Sequence, residues 1–125
     1  MALNEIDGMK AITPKVDLGW VYQIILWDGG STDGTVEWAI NNGYRVHLQK
    51  RPGFRHAYFE ALELIDSDYV IPFSPDGNSV PENIWELRKM AEKGYEMVIC
   101  SRYLGNAKSY DDDIVTAFGN WFFTK

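Results

Sequence analysis

Apolar residues fall along this chain in blocks of two kinds. Four blocks are nearly continuous and rich in β-branched or aromatic residues: Tyr22 to Trp27, Tyr44 to Leu48, Asp68 to Phe73 and Glu96 to Cys100. Each is bounded by Gly, Pro, Asp or Ser, which is the pattern of short strands buried on both faces. The blocks between them carry helical spacing. Thr35 to Asn41 holds Val36, Ala39 and Ile40; Arg55 to Ile65 holds Ala57, Ala61, Leu62, Leu64 and Ile65; Pro81 to Lys93 holds Ile84, Leu87, Met90 and Ala91. Pro81 suits a first helical turn and Gly94 suits the residue just past a helix end. Strands alternating with helices predict βαβ units, hence an α/β fold with a mostly parallel sheet of about four strands flanked by helices. Leu3 to Gly19 reads as helix or loop ahead of the first of these strands, and Ile114 to Phe123 is a further amphipathic stretch.

The length of 125 residues fits a single domain over 1–125, and the late first strand together with the amphipathic stretch still running close to Lys125 makes it read as a piece of a larger fold rather than a small complete one. An apolar fraction of 46%, with five Trp, seven Tyr and six Phe, supplies a core and excludes a disordered chain. The net charge of −6 argues against general nucleic-acid binding, which calls for a basic surface. One cysteine, Cys100, excludes an internal disulfide and fits a reducing, cytoplasmic compartment; at the end of an apolar strand it reads as an inert core residue. No apolar run reaches the roughly 20 residues of a membrane span, and no signal peptide is recognisable. His47 and His56 have no partner at zinc-ligand spacing, and Trp27, Trp38, Trp85 and Trp121 read as packing residues.

Candidate chemistry collects in two turns, each directly after a predicted strand, where open α/β sheets bind ligands. The first is Asp28-Gly29-Gly30-Ser31-Thr32-Asp33-Gly34-Thr35. Asp28 can accept hydrogen bonds from a base or ribose, the glycines let a ligand approach the backbone, and Ser31 or Thr32 can cap the next helix. An ordinary capped strand-to-helix turn has the same composition. A calcium loop beginning at Asp28 requires Glu at its twelfth position, which is Ala39. The second turn, Ser74-Pro75-Asp76-Gly77-Asn78, sets two oxygen-bearing side chains two residues apart, a spacing that suits Mg²⁺ or Mn²⁺ shared with a diphosphate. A plain Pro-Asp-Gly turn is the alternative. Asp111-Asp112-Asp113 reads as a solvated helix start.

Taken together, these two turns, Pro81-Glu82 and Cys100-Ser101-Arg102-Tyr103 resemble glycosyltransferase family 2, and within it the dolichyl-phosphate mannose synthase-like and polyprenyl-phosphate branch. Leu3-Asn4-Glu5 resembles the end of that family's opening Pro-x-x-Asn-Glu element, and Lys50-Arg51-Pro52-Gly53 with Ala57-Tyr58 resembles its Gly-rich helix start. The resemblance implies a GT-A fold, a Rossmann-like sandwich that binds a UDP- or GDP-sugar. It implies Asp28 at the base, Glu5 near the nucleoside, Asp76 and Asn78 at a Mg²⁺ or Mn²⁺ ion with the diphosphate, and Arg102 facing the phosphates. Arg51 and Ser74 complete the expected substrate-binding set, with Asp76 and Arg102 as its catalytic pair. The acceptor implied is a polyprenyl or dolichyl phosphate, attacked with inversion, at the cytoplasmic membrane face.

Three departures stand out. Ser74 occupies the first position of the usual Asp-x-Asp metal motif, and Arg55 replaces a second glycine, so that it either reshapes that turn or reaches the phosphates. The family's first, central strand should precede Leu3, where the sequence has Met1 and Ala2. The sheet then either closes around the gap or is completed by another copy of the chain. These departures motivate a second reading, a non-catalytic module that keeps the fold. A sugar nucleotidyltransferase shares the architecture, but its Gly-rich loop needs a basic residue that 28–35 lacks.

Overall fold

The computed structural model describes residues 1–101; Arg102, Asp111–Asp113, Trp121 and the stretch 114–123 lie outside them. Two strands form a parallel pair, β1 (Ile25–Asp28) and β2 (Arg45–Leu48), with Ile25 opposite Arg45 and Asp28 opposite Leu48. The crossover between them is a helix, α2 (Thr35–Asn41), as expected where a strand must return parallel to itself. Ahead of β1 lie α1 (Ile6–Ile12) and the 3₁₀ turns Thr13–Lys15 and Leu18–Trp20. Beyond β2 come α3 (Phe54–Leu64) and α4 (Asn83–Ala91).

The core is small and sits where α1 and α2 cover the strand pair. Ala2, Met9, Leu26 and Ala39 are buried together, with Trp38, Tyr44 and Val46 packed against them. Trp38 stacks on Tyr44 with ring centroids 5.9 Å apart, and Trp27 lies beside His47, its register partner, at 4.2 Å. Helix α4 is held to the rest by Arg88, which donates to the carbonyls of Gly19 and Trp20 at 3.3 Å each and pairs with Glu92 at 2.8 Å. Trp85 stays partly exposed, beneath the charged ends of Arg88 and Lys89.

The α/β order and the parallel pairing agree with the sequence pattern, whereas the expected sheet of about four strands is reduced to two among the described residues. The segments 68–73 and 96–100 run without strand pairing. The reason is the neighbour rather than the sequence: a strand exists only where a second backbone takes its N–H and C=O groups. The backbone that comes between β1 and 69–73 is Met1 and Ala2. Ala2 forms a single parallel bridge to Asp28, its N–H donating to Trp27 at 2.8 Å and its carbonyl accepting from Gly29 at 2.9 Å. On the other side the Met1 nitrogen donates to the Phe73 carbonyl at 3.0 Å. A cleft of about 1790 Å³, lined by Met1, Leu26, Trp27 and Phe73 among others, lies beside it. Without a ladder around it Cys100 is exposed, not the core residue its apolar setting predicts. Helix boundaries move by one or two residues: α3 begins at Phe54, and Pro81 and Glu82 lie in the turn ahead of α4.

Candidate functional site

The turn after β1 is built around Asp28. Its side chain is fully buried, with 0% exposure. One carboxylate oxygen accepts the N–H groups of Gly30 at 2.7 Å and Ser31 at 2.9 Å, and the other accepts the Ser31 hydroxyl. A carboxylate so occupied fixes the path of the turn and leaves the backbone of Gly29 and Gly30 exposed. The turn ends at Gly34, whose φ of +95° is open to glycine at little cost and which hands the chain to α2.

A second strip of backbone is laced onto this turn. Asn4 donates its N–H to the Ser31 hydroxyl at 2.9 Å, and its side-chain oxygen accepts the Thr32 N–H at 2.8 Å. Asn4 takes φ +57°, a left-handed conformation that Asn tolerates better than most residues. The Glu5 N–H donates to the buried Thr35 hydroxyl at 3.0 Å, and the Ile6 N–H to Asp33 at 3.1 Å. Asp33 also accepts the Thr35 hydroxyl and N–H. The Thr35 hydroxyl bond, ahead of those from the Ile6 and Thr35 amides, holds its carboxyl below the ordinary value of 3.8. The first N–H groups of α1 are therefore satisfied by side chains about thirty residues away, in place of a local cap.

Helix α1 then carries Glu5 to the second turn. A Cβ on Gly8 would stand 2.0 Å from the Pro75 carbonyl oxygen and 3.5 Å from a Glu5 carboxylate oxygen, so α1 rests directly on the backbone of Pro75. Burial lowers the proton affinity of the Met1 amino group while Asp76 and Glu5 raise it, which places both acids within electrostatic reach of one point. Asp76 is exposed and closes its turn by accepting the Asn78 N–H at 2.9 Å. Ser74 is half-buried between Phe73 and Pro75.

Arg51 follows β2 on the same carboxyl edge. The loop that presents it is anchored by Glu60 of α3, which is 7% exposed and accepts the Lys50 N–H at 2.9 Å and the Arg51 Nε at 3.5 Å. The Lys50 bond, then the Arg51 contacts, hold the Glu60 carboxyl below its ordinary value of 4.5. Gln49 adds side-chain bonds to the carbonyls of Arg51 and of Gly53, the latter at 3.0 Å. Arg51 itself remains 60% exposed and able to reach a ligand.

Of the residues singled out by sequence, Glu5, Asp28, Ser74, Asp76 and Asn78 lie along one connected edge, Arg51 lies on the loop after β2, and Arg102 lies outside the described residues. Gly8 and Glu60 were not singled out, and Asn4, Asp33 and Thr35 entered only as members of the quoted motifs, without a role; all five hold this edge in place. No group of three or more acidic, His or Cys side chains converges among the described residues. Asp76 and Asn78 offer hard oxygens, which fit Mg²⁺ or Mn²⁺ only as an ion taking most of its ligands from a diphosphate and water.

Residues 19–124 match the model of the family described as glycosyl transferase family 2. The chain is 35% identical over 102 residues to glycosyltransferase AglJ of Haloferax volcanii, an alignment covering 80% of this chain and 33% of that protein. It is 31% identical over 84 residues, 62% of this chain and 26% of the relative, to an undecaprenyl-phosphate 4-deoxy-4-formamido-L-arabinose transferase of Photorhabdus laumondii. The protein of the same description from Serratia proteamaculans is 28% identical over 107 residues, 76% of this chain and 33% of its own length. The chain thus spans about a third or less of the curated relatives it matches. No solved structure matches it significantly.

Proposed function

From the premise that the chain belongs to glycosyl transferase family 2, we propose that it forms the donor half of an enzyme that moves a sugar from a nucleotide diphosphate to a polyprenyl-type lipid phosphate. The observation that carries this reading is the joining of the Asp28 and Asp76 turns by one strip, Leu3 to Gly8, at the carboxyl edge of the parallel pair. That edge is where α/β sheets hold nucleotides. The names of two relatives, undecaprenyl-phosphate transferases, support the acceptor class.

In this reading Gly29 and Gly30 give the nucleoside a close backbone approach, along a path that Asp28 fixes, and Glu5 flanks it. Asp76 and Asn78 would hold a divalent cation, which would supply positive charge to offset that developing on the leaving diphosphate. Arg51 and Arg102 take phosphate oxygens with their forked donors. The acceptor phosphate is already an anion, so its oxygen forms the new bond to the anomeric carbon without a protein base. The bond to the diphosphate breaks on the opposite face, and the configuration inverts. Among the described residues no helix is long and apolar enough to cross a membrane, and this reading places the domain at the cytoplasmic membrane face.

Ser74 favours a second reading. A single carboxylate in the metal turn weakens cation binding, and a folded module without turnover is the result. Calorimetric titration with UDP and GDP, with and without Mn²⁺, separates the two. Donor binding that needs Mn²⁺ and is lost in Asp76→Ala supports the transferase reading. A folded chain that binds neither nucleotide refutes it.

A further inference from the structure

Helix α3 buries two residues, Ala57 and Glu60. A carboxylate in such a position costs free energy unless it is paired and hydrogen-bonded. Glu60 accepts the Lys50 N–H at 2.9 Å and the Arg51 Nε at 3.5 Å, and these two contacts differ in kind. The Lys50 N–H needs only an acceptor, which the amide oxygen of a glutamine also offers. The charge is matched by Arg51. Yet Arg51 is 60% exposed, and an ion pair so open to water adds little to stability. The stability that Glu60 supplies comes chiefly through the Lys50 bond, which leaves its grip on Arg51 to be explained.

The loop around Arg51 shows what that grip does. Gln49 ties the loop to the candidate site, its N–H donating to the Asp28 carbonyl at 2.8 Å. Its side-chain amide donates to the carbonyls of Arg51 and Gly53, the latter at 3.0 Å. Glu60 takes the Lys50 N–H from the helix side. Arg51 therefore leaves a backbone that is held on both sides, two residues from a bond to the Asp28 turn. A guanidinium carries five N–H donors, and Glu60 engages the one on Nε. The four on the two Nη nitrogens are left for a ligand, and that edge suits two parallel bonds to a phosphate.

We propose that Glu60 is a positioning residue for the phosphates of the donor: it holds the Arg51 guanidinium by Nε, so that the Nη edge is set to receive a phosphate at the carboxyl edge of the strand pair. The ligand class rests on the donor reading given above. An unheld arginine is ordered only when its ligand arrives, and ordering one long side chain costs about three- to tenfold in affinity. Glu60 removes that cost beforehand. Its negative charge acts in the other direction, by offsetting the charge of Arg51. The two roles open to this acid therefore predict opposite signs. If Glu60 orients Arg51, its neutral isostere weakens phosphate binding; if it only neutralises Arg51, the isostere strengthens it.

The test is calorimetry on the 125-residue chain with inorganic pyrophosphate in Mg²⁺ and with UDP and GDP in Mn²⁺. The parent is compared with Glu60→Gln, Arg51→Ala and the double variant. For each of these ligands that the parent binds, Glu60→Gln should lose affinity by about three- to tenfold. Arg51→Ala should lose at least as much, and adding Glu60→Gln to it should change affinity less than about twofold further. A merely structural role would weaken both backgrounds alike. The Arg51 Nε–H signal in a proton–nitrogen spectrum should also move to the position of exposed arginines in Glu60→Gln. Affinity that is unchanged or raised in Glu60→Gln overturns the proposal. So do equal losses in the two backgrounds, unchanged binding in Arg51→Ala, and a parent that binds none of the three ligands. Pyrophosphate carries no nucleoside, so the donor reading is judged separately. A parent that binds pyrophosphate through this pair, but neither UDP nor GDP, refutes that reading and leaves the role of Glu60 standing.

Discussion

Replacing Gly8 by alanine tests the contact that joins the two turns. In a helix free of neighbours this change is favourable: alanine lies about 0.8–1 kcal/mol above glycine in helix propensity. Here the new methyl would stand 2.0 Å from the Pro75 oxygen and 2.9 Å from its carbonyl carbon. Carbon and oxygen do not approach within 3.0 Å, so helix and turn must separate by at least 1.0 Å, the difference between 3.0 and 2.0. Nothing on the far side is a flexible side-chain tip; the obstacle is backbone. Overpacking of this kind costs about 1–3 kcal/mol. Subtracting the helix gain leaves a net loss of about 0–2 kcal/mol.

The gain expected from α1 alone is therefore cancelled or reversed, and urea unfolding followed by tryptophan fluorescence reads the outcome directly. A second readout follows from position. The displaced helix carries Glu5 away from Asp76, so nucleotide affinity falls in Gly8→Ala under conditions where the chain remains fully folded. A Gly8→Ala chain that is more stable than the parent, with unaltered nucleotide binding, refutes the docking of α1 on the 74–78 turn.

Other parts of the edge give separable effects. Asp28→Asn keeps the shape but faces an amide N–H₂ toward donors, and should cost about 2–3 kcal/mol in the same unfolding assay, the worth of hydrogen bonds to a charged group. Asn4→Gly keeps the left-handed backbone and loses only the Thr32 bond, about 1 kcal/mol, whereas Asn4→Ala adds about 1–2 kcal/mol of backbone strain; equal losses would remove the role given to φ. The Glu60 carboxyl sits below 4.5 in the folded chain, so its contribution is present above pH 4.5 and is lost as pH falls through the lower folded value. Glu60→Gln should accordingly lower stability at neutral pH and flatten the decline on acidification; an unchanged acid limb in circular dichroism would contradict this.

What the sequence disclosed was local. The turn from Asp28 to Thr35 is legible because its bonds run between residues two or three apart, and the same holds for the Asp76 to Asn78 turn. The lacing by Asn4, Glu5 and Ile6 was not, because each bond spans 27 to 30 residues and no periodicity marks it. Glu60 hides for a related reason: on α3 it reads as one more polar position, and only the returning 49–51 loop shows that its helix face is covered. Gly8 reads as a weak helix residue until Pro75 is placed against it.

The strands expected at 68–73 and 96–100 show a different limit. Their hydrophobic pattern is that of buried parallel strands, and pattern reports what a segment would bury rather than what stands next to it. β1 and β2 pair because α2 returns the chain directly to the neighbouring track, a connection held within residues 25–48. Residues 69–73 have no such local neighbour; Phe73 meets the Met1 nitrogen, and Ala2 in turn meets Trp27. The bridge sits next to the carboxyl end of β1 and to Phe73, just before the Asp28 and Asp76 turns. That position concentrates the polar ties of the candidate site at the edge where the two turns leave, so the site is laced by contacts between turns and owes little to the sheet behind it.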